Sequence, residues 1–70
     1  MPYTGEHRAR AAEHVMVGQR IVDDQRKAVD ILQSQGQSTA AATELLDLME
    51  QMLTIMKDNL ARIDAELDGR

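Results

Sequence analysis

Residues 33–39 read Gln-Ser-Gln-Gly-Gln-Ser-Thr, a polar, turn-forming stretch near the midpoint of a 70-residue chain. Gly36 suits the left-handed residue that follows the end of a helix, and Ser38 or Thr39 can accept hydrogen bonds from the free N–H groups of the next helix. Thr4 can cap a first helix in the same way. The stretch predicts a turn at residues 36–38 between two antiparallel helices, at about 5–35 and 39–67.

The composition favours an all-α chain that forms a single helical-hairpin domain over residues 1–70. Hydrophobic residues make up 43% and charged residues 29%, as in globular proteins, and the single tyrosine is the only aromatic residue, which disfavours a sheet. A chain this short buries only about 60% of its unfolded surface when it folds. It contains no cysteine, so no disulfide can stabilise it, and we expect oligomerisation to do so.

The chain does not show the pattern of a membrane or secreted protein. Its apolar runs are far shorter than the roughly 18 residues of a membrane-spanning helix. Residues 5–14 mix charged and small residues where a secretory signal would be apolar. We therefore expect a cytoplasmic protein without a membrane partner.

Both predicted helices carry residues at the alternating steps of three and four that are typical of a coiled-coil seam. If the chain folds back near residue 37, Gly18 faces Met56 and Val22 faces Met52 across this seam. On helix 2 a second row, Leu46, Leu53, Leu60 and Leu67, fits nearly as well, so the sequence leaves the register open. The two rows first considered are Arg8, Ala11, Val15, Gly18, Val22, Gln25, Val29 and Leu32, and Ala42, Leu45, Met49, Met52, Met56, Asn59, Ile63 and Glu66.

The apolar face of each helix is wider than one neighbouring helix can cover. On helix 2, Leu48 and Ile55 flank Met52 on one side and the leucine row flanks it on the other, an arc of about 180°. A helix with a single neighbour typically shows a stripe of about 100°. We therefore predict that two hairpins dimerise into a four-helix bundle. The residues predicted to form the hairpin seam and the dimer interface are Val15, Gly18, Ile21, Val22, Gln25, Val29, Leu32, Leu45, Leu46, Leu48, Met49, Met52, Leu53, Ile55, Met56, Leu60 and Ile63.

Several residues of these rows have individual interpretations. Gln25 and Asn59 are polar, and one polar seam residue can fix the register of a coiled coil at some cost in stability. Gly18 lies inside a helix, where a close approach to a large residue would explain it. The methionines of helix 2 fill the bundle core, or alternatively form an adaptable surface for another protein helix.

No pattern of catalytic or metal-binding residues stands out. His7 and His14 are seven residues apart, about 10 Å along one helix, which is too far to hold one ion together. The Glu-x-x-His pattern of di-iron bundles, a glycine-rich phosphate loop and a nucleophile elbow are all missing from the sequence. We predict that the protein is not an enzyme and uses no cofactor or metal.

The charge pattern argues against nucleic acid as a partner. Helix 1 carries equal numbers of basic and acidic residues, helix 2 is acidic, and the net charge is −4. A phosphate-binding face needs clustered positive charge and, for single strands, stacking aromatic side chains. The sequence therefore favours solvated helix faces over a nucleic-acid interface.

The stretch from Ala12 to Leu53 resembles a set of small uncharacterised bacterial helical-hairpin proteins, over about two-thirds of the chain. The residues that carry this resemblance are Glu13-His14-Val15, Gly18, Gln25-Arg26, Ile31-Leu32, Gly36, Ser38-Thr39 and Leu45-Leu46. The resemblance implies the hairpin fold and brings no activity or site with it. The shape is also similar to that of the plasmid RNA-binding Rop hairpin dimers, whereas the absence of tryptophan excludes the WXG-type hairpins. We expect a small homo-oligomeric protein-interaction or regulatory module, with a nucleic-acid-binding regulator of Rop-like shape as the alternative.

Overall fold

The structure, a computed structural model, describes residues 3–69, and these residues form a helical hairpin. Helix α1 is Gly5–Ser34 and helix α2 is Ala40–Leu67, and the two pack against each other. The hairpin measures 52 × 15 × 13 Å between its outermost Cα atoms. Within the described range the chain is thus all-helical, as the sequence predicts, with α1 one residue shorter and α2 starting one residue later than expected.

Helix α1 begins with a reciprocal cap between Thr4 and His7. The backbone N–H of His7 donates to the Thr4 hydroxyl at 3.3 Å, and the Thr4 N–H donates to Nδ1 of His7 at 3.0 Å. His7 therefore takes the position that Glu or Gln usually occupies in a capping box. The Tyr3 ring packs edge-on against the imidazole, with 6.0 Å between centroids.

The turn closes α1 through backbone hydrogen bonds. Gly36 has φ of +69°, the left-handed conformation that favours glycine. The N–H of Gln37 donates to the Leu32 carbonyl at 3.0 Å, and that of Gly36 donates to the Gln33 carbonyl at 3.1 Å. These two bonds are those of a Schellman motif, which satisfies the last carbonyls of the helix.

The start of α2 differs from the expectation. Thr39 occupies the N-cap, but its side chain makes no capping hydrogen bond. The predicted cap by the Thr39 hydroxyl is therefore wrong. Its backbone, at φ −107° and ψ 2°, lies outside the extended region from which an N-cap side chain usually reaches the free N–H groups. Ser38, the other candidate, is exposed in the connecting segment.

The seam between the helices uses the predicted row of α1 and, on α2, combines the leucine row with half of the row first considered. Ala11 and Val22 of α1 are buried, with Leu53 and Ile63 of α2. The remaining α1 row members are half-buried, whereas on α2 the half-buried or buried residues at seam spacing are Ala42, Leu46, Met49, Leu53, Met56, Leu60, Ile63 and Leu67. The leucine row therefore faces α1.

Three residues predicted to lie in the seam lie outside it. Leu45, Met52 and Asn59 are exposed, and the placement of Met52 opposite Val22 is wrong. The leucine row supplies an apolar side chain at every seventh residue, whereas the positions that it replaces in the first row include Asn59, whose amide would be buried there. Burying an amide without a hydrogen-bond partner costs free energy, and the leucine row avoids that cost.

Two side-chain contacts hold the helices together in this register. A Cβ atom at Gly18 would lie 3.2 Å from both Cδ1 of Leu53 and Sδ of Met56, so the predicted close approach at Gly18 is present. Gln25 donates from Nε2 to the carbonyl oxygen of Ala42 at 3.1 Å. The first contact brings the helix surfaces close together, and the second anchors α1 to the first turn of α2.

Candidate interaction surface

The two long edges of the hairpin differ in chemistry. We label the heptad positions a to g, with Val22 and Leu53 at a. In an antiparallel helix pair, e positions of both helices meet along one edge and g positions along the other. The e edge carries ion pairs between the helices: Nη2 of Arg26 lies 3.4 Å from Oε1 of Glu50, and Nε of Arg8 lies 2.7 Å from Oδ1 of Asp64.

The opposite edge is apolar over much of its length. Large hydrophobic side chains occupy g positions and the neighbouring c positions of both helices, and their exposed fractions run from 44% at Leu45 to 67% at Ile55. Met16, at 66%, is exposed on the other side of α1, at a b position. We define the apolar surface as Val17, Ile21, Ile31, Leu45, Leu48, Met52 and Ile55.

A shallow pocket of about 190 Å³ continues this edge towards the open end of the hairpin, opposite the turn. Side chains of both helices line it, which places the g edges of α1 and α2 on the same side of the molecule. Its lining residues are Tyr3, His7, Arg10, Ala11, His14, Asn59 and Ile63. The edge thus changes from apolar near the turn to polar near the open end.

Two arginines of α1, Arg8 and Arg26, lie close to carboxylates. Arg26 lies 3.5 Å from Asp23 as well as 3.4 Å from Glu50. Arg8 lies 3.6 Å from Asp68 in addition to its contact with Asp64. These side chains are about half exposed, so each pair contributes about 0–1 kcal/mol to stability. Both arginines thus have carboxylate neighbours that offset their charge locally.

Residues 3–69 contain no group of three or more His, Cys, Asp or Glu side chains placed to hold a metal ion. Neither helix, over the residues described, has a stretch long and apolar enough to cross a lipid bilayer.

The structure divides the predicted site residues into two groups. The first group lies in the hairpin seam and consists of Val15, Gly18, Val22, Gln25, Val29, Leu32, Leu46, Met49, Leu53, Met56, Leu60 and Ile63. The second group lies on the apolar surface and consists of Ile21, Leu45, Leu48, Met52 and Ile55. Val17 and Ile31, which flank the seam row on the broad apolar face of α1, are not among the predicted interface residues. The signal for them is their spacing of three or four residues from Ile21 and Ala28, which continues one stripe along α1.

No protein-family model, curated protein or solved structure matches this chain. The similarity to bacterial helical-hairpin proteins therefore stays a prediction. The function has to be argued from the surface of the hairpin itself.

Proposed function

We propose that this chain is a protein-interaction module that works as a homodimer. Two hairpins bury their apolar surfaces against each other and form a four-helix bundle. The observation that carries the proposal is the concentration of exposed large apolar side chains on one edge, while the opposite edge carries the ion pairs between the helices. Contiguous exposed apolar patches mark interaction sites on soluble proteins.

The small core of one hairpin supports this proposal. Among the described residues, only Ala11, Val22, Leu53 and Ile63 are buried apolar residues. The chain exposes 5163 Å² of surface, whereas a compact monomer of 7.8 kDa would expose about 4,400 Å². Association would remove part of this excess from water, at roughly 25 cal/mol for each Å² of apolar area.

The dimensions of the hairpin favour a second copy as the occupant of the surface. A face of 52 by 15 Å covers about 780 Å². Two such faces in contact over their whole length would bury at most about 1,600 Å² in total, the usual size of a stable protein–protein interface, and this contact includes the polar part of the edge as well as the apolar surface. A lone helix from another protein would cover one groove and leave part of this width exposed.

Nucleic-acid binding remains the alternative function, and it has less support. Arg8 and Arg26 would have to exchange their carboxylate partners for phosphates. A gel-shift assay with duplex and single-stranded nucleic acid at low salt separates the two functions. A shifted band that weakens as salt increases would favour the alternative, because phosphate contacts release counterions.

Charge substitutions on the apolar surface test the dimer. Leu48→Glu and Met52→Glu each place a carboxylate where the second hairpin would pack, and an unpaired buried charge is strongly destabilising. Light scattering after size exclusion should give a dimer mass for the wild type and a lower mass for both variants. Met16→Glu is the matched control, because Met16 is a large apolar residue at least as exposed as Leu48 and Met52 but lies off the surface. A wild-type monomer, or dimers in all three variants, would contradict the proposal.

A further inference from the structure

The apolar surface on α2 is symmetric along the helix. Leu45, Leu48, Met52 and Ile55 follow one another at steps of three, four and three, so the pattern reads the same in both directions. Its centre is Glu50, the residue midway between Leu48 and Met52. A symmetric row of this kind can pack against an antiparallel copy of itself, with each side chain meeting its counterpart from the other half of the row.

The apolar surface on α1 is centred at the same height of the hairpin. Val17 and Ile31 are equally far from Asp24, and Ile21 and Ala28 are nearly so. The contact between Arg26 of α1 and Glu50 of α2, at 3.4 Å, shows that the two centres lie side by side. A single two-fold axis at this height, perpendicular to the helix axes, could therefore relate both α1 and α2 to their copies in a second hairpin.

From this symmetry we infer that the two hairpins pair with their turns at opposite ends. This inference rests on the homodimer proposed above. A two-fold axis then passes at the height of Asp24 and Glu50, each helix lies antiparallel along its own copy, and the interface is isologous. The facing pairs are Leu45 with Ile55 of the second copy, Leu48 with its Met52, and Val17 with its Ile31.

The other two-fold arrangement, with both turns at the same end, matches the surface less well. It places α1 along α2 of the second copy. Asp24 of one copy then lies beside Leu48 in the apolar row of the other copy. At the open end it brings Arg10 beside Arg62, because the contacts of Arg8 with Asp64 and of Gly18 with Met56 set these residues at similar heights. Placing a carboxylate among apolar side chains and pairing like charges both cost free energy.

The arrangement with turns at opposite ends carries a smaller charge penalty. It has one like-charge contact, between the two copies of Asp24 near the axis, whereas the other arrangement contains both the Arg10–Arg62 contact and the placement of Asp24 beside Leu48 twice. Asp24 is exposed in the hairpin, and Lys27 lies one helical turn away. Salt weakens the repulsion between the two carboxylates to the extent that water reaches them.

A distance measurement between the two turns tests the inference. The chain has no cysteine, so Gln37→Cys gives a single nitroxide-labelling site in the exposed turn. Gln37 lies 13 residues beyond Asp24, about 20 Å along the helix axis at about 1.5 Å per residue. Pulsed electron paramagnetic resonance should therefore give a distance of about 40 Å between labels.

Each outcome of this experiment has a separate meaning. A distance centred below about 25 Å would place both turns at one end and overturn the inference while leaving the dimer in place. The absence of any dipolar signal at micromolar concentration would overturn the dimer and the inference together. A disulfide that forms when Leu48→Cys and Met52→Cys chains are mixed supports the inference, and one formed instead between Ile21→Cys and Met52→Cys chains overturns it.

Discussion

At the residue scale, the contact of Gln25 with Ala42 and the small size of Gly18 fix how the helices meet. The Gln25 amide reaches across the seam to a carbonyl oxygen in the first turn of α2, at 3.1 Å. Gly18 leaves room for the side chains of Leu53 and Met56. Both residues look unfavourable within a helical seam when each helix is considered alone, and both have a partner on the other helix.

Removing the Gln25 amide should weaken the hairpin measurably. We expect Gln25→Ala to lower the free energy of unfolding by about 0.5–1.5 kcal/mol, the net contribution of one hydrogen bond. Urea denaturation followed by circular dichroism measures this change. Gln33→Ala, at an exposed position of the same helix, is the control and should change stability by less than about 0.5 kcal/mol. Equal effects of the two substitutions would show that the contact with Ala42 contributes nothing.

Filling the space at Gly18 should destabilise the hairpin despite improving helix propensity. Leucine gains up to about 1 kcal/mol over glycine in a helix interior. Its side chain would, however, meet Leu53 and Met56 at a point where even a Cβ atom lies at 3.2 Å, and overpacking costs about 1–3 kcal/mol. We therefore expect Gly18→Leu to lower the melting temperature. Ala9→Leu, on an exposed face of α1, should leave it nearly unchanged. A more stable Gly18→Leu variant would rule out the close approach.

At the scale of the helices, the hairpin could be predicted from sequence, but the choice of the α2 seam could not. The turn around Gly36 and the steps of three and four predict two antiparallel helices. On α2, Met52 and Leu53 both belong to rows with seam spacing, and spacing alone cannot say which row faces α1. That choice depends on which row packs better against α1 and leaves Asn59 in water. Similarly, the ion pair between Arg26 and Glu50 could not be predicted, because it depends on the register between the two helices, which local sequence does not determine.

The seam assignment predicts a large effect at Leu53. Leu53 is 6% exposed, and truncation of a buried leucine to alanine costs about 2–5 kcal/mol. We expect Leu53→Ala to lose most of its cooperative unfolding transition in a thermal melt monitored by circular dichroism. Met16→Ala removes a side chain of similar size that is 66% exposed and should melt close to the wild type. Similar melts for the two variants would contradict the position of Leu53 in the seam.

At the scale of the whole molecule, the two long edges of the hairpin differ in their side chains. The e edge joins α1 to α2 through ion pairs, and the g edge carries the apolar surface that we propose binds a second copy. The width of the apolar faces predicts, from sequence alone, that a second hairpin covers them. The structure adds that the apolar surface lies on one edge, from Val17 to Ile31 on α1 and from Leu45 to Ile55 on α2. A single partner molecule could cover it there.

Sedimentation equilibrium of the wild-type chain tests the homodimer most directly. We expect a species of about 15.6 kDa, twice the 7.8 kDa of one chain, at micromolar concentration, with helicity that falls as dilution dissociates it. A 7.8 kDa species that stays fully helical at every concentration would contradict the account, because a single hairpin would then be stable with its apolar surface exposed to water.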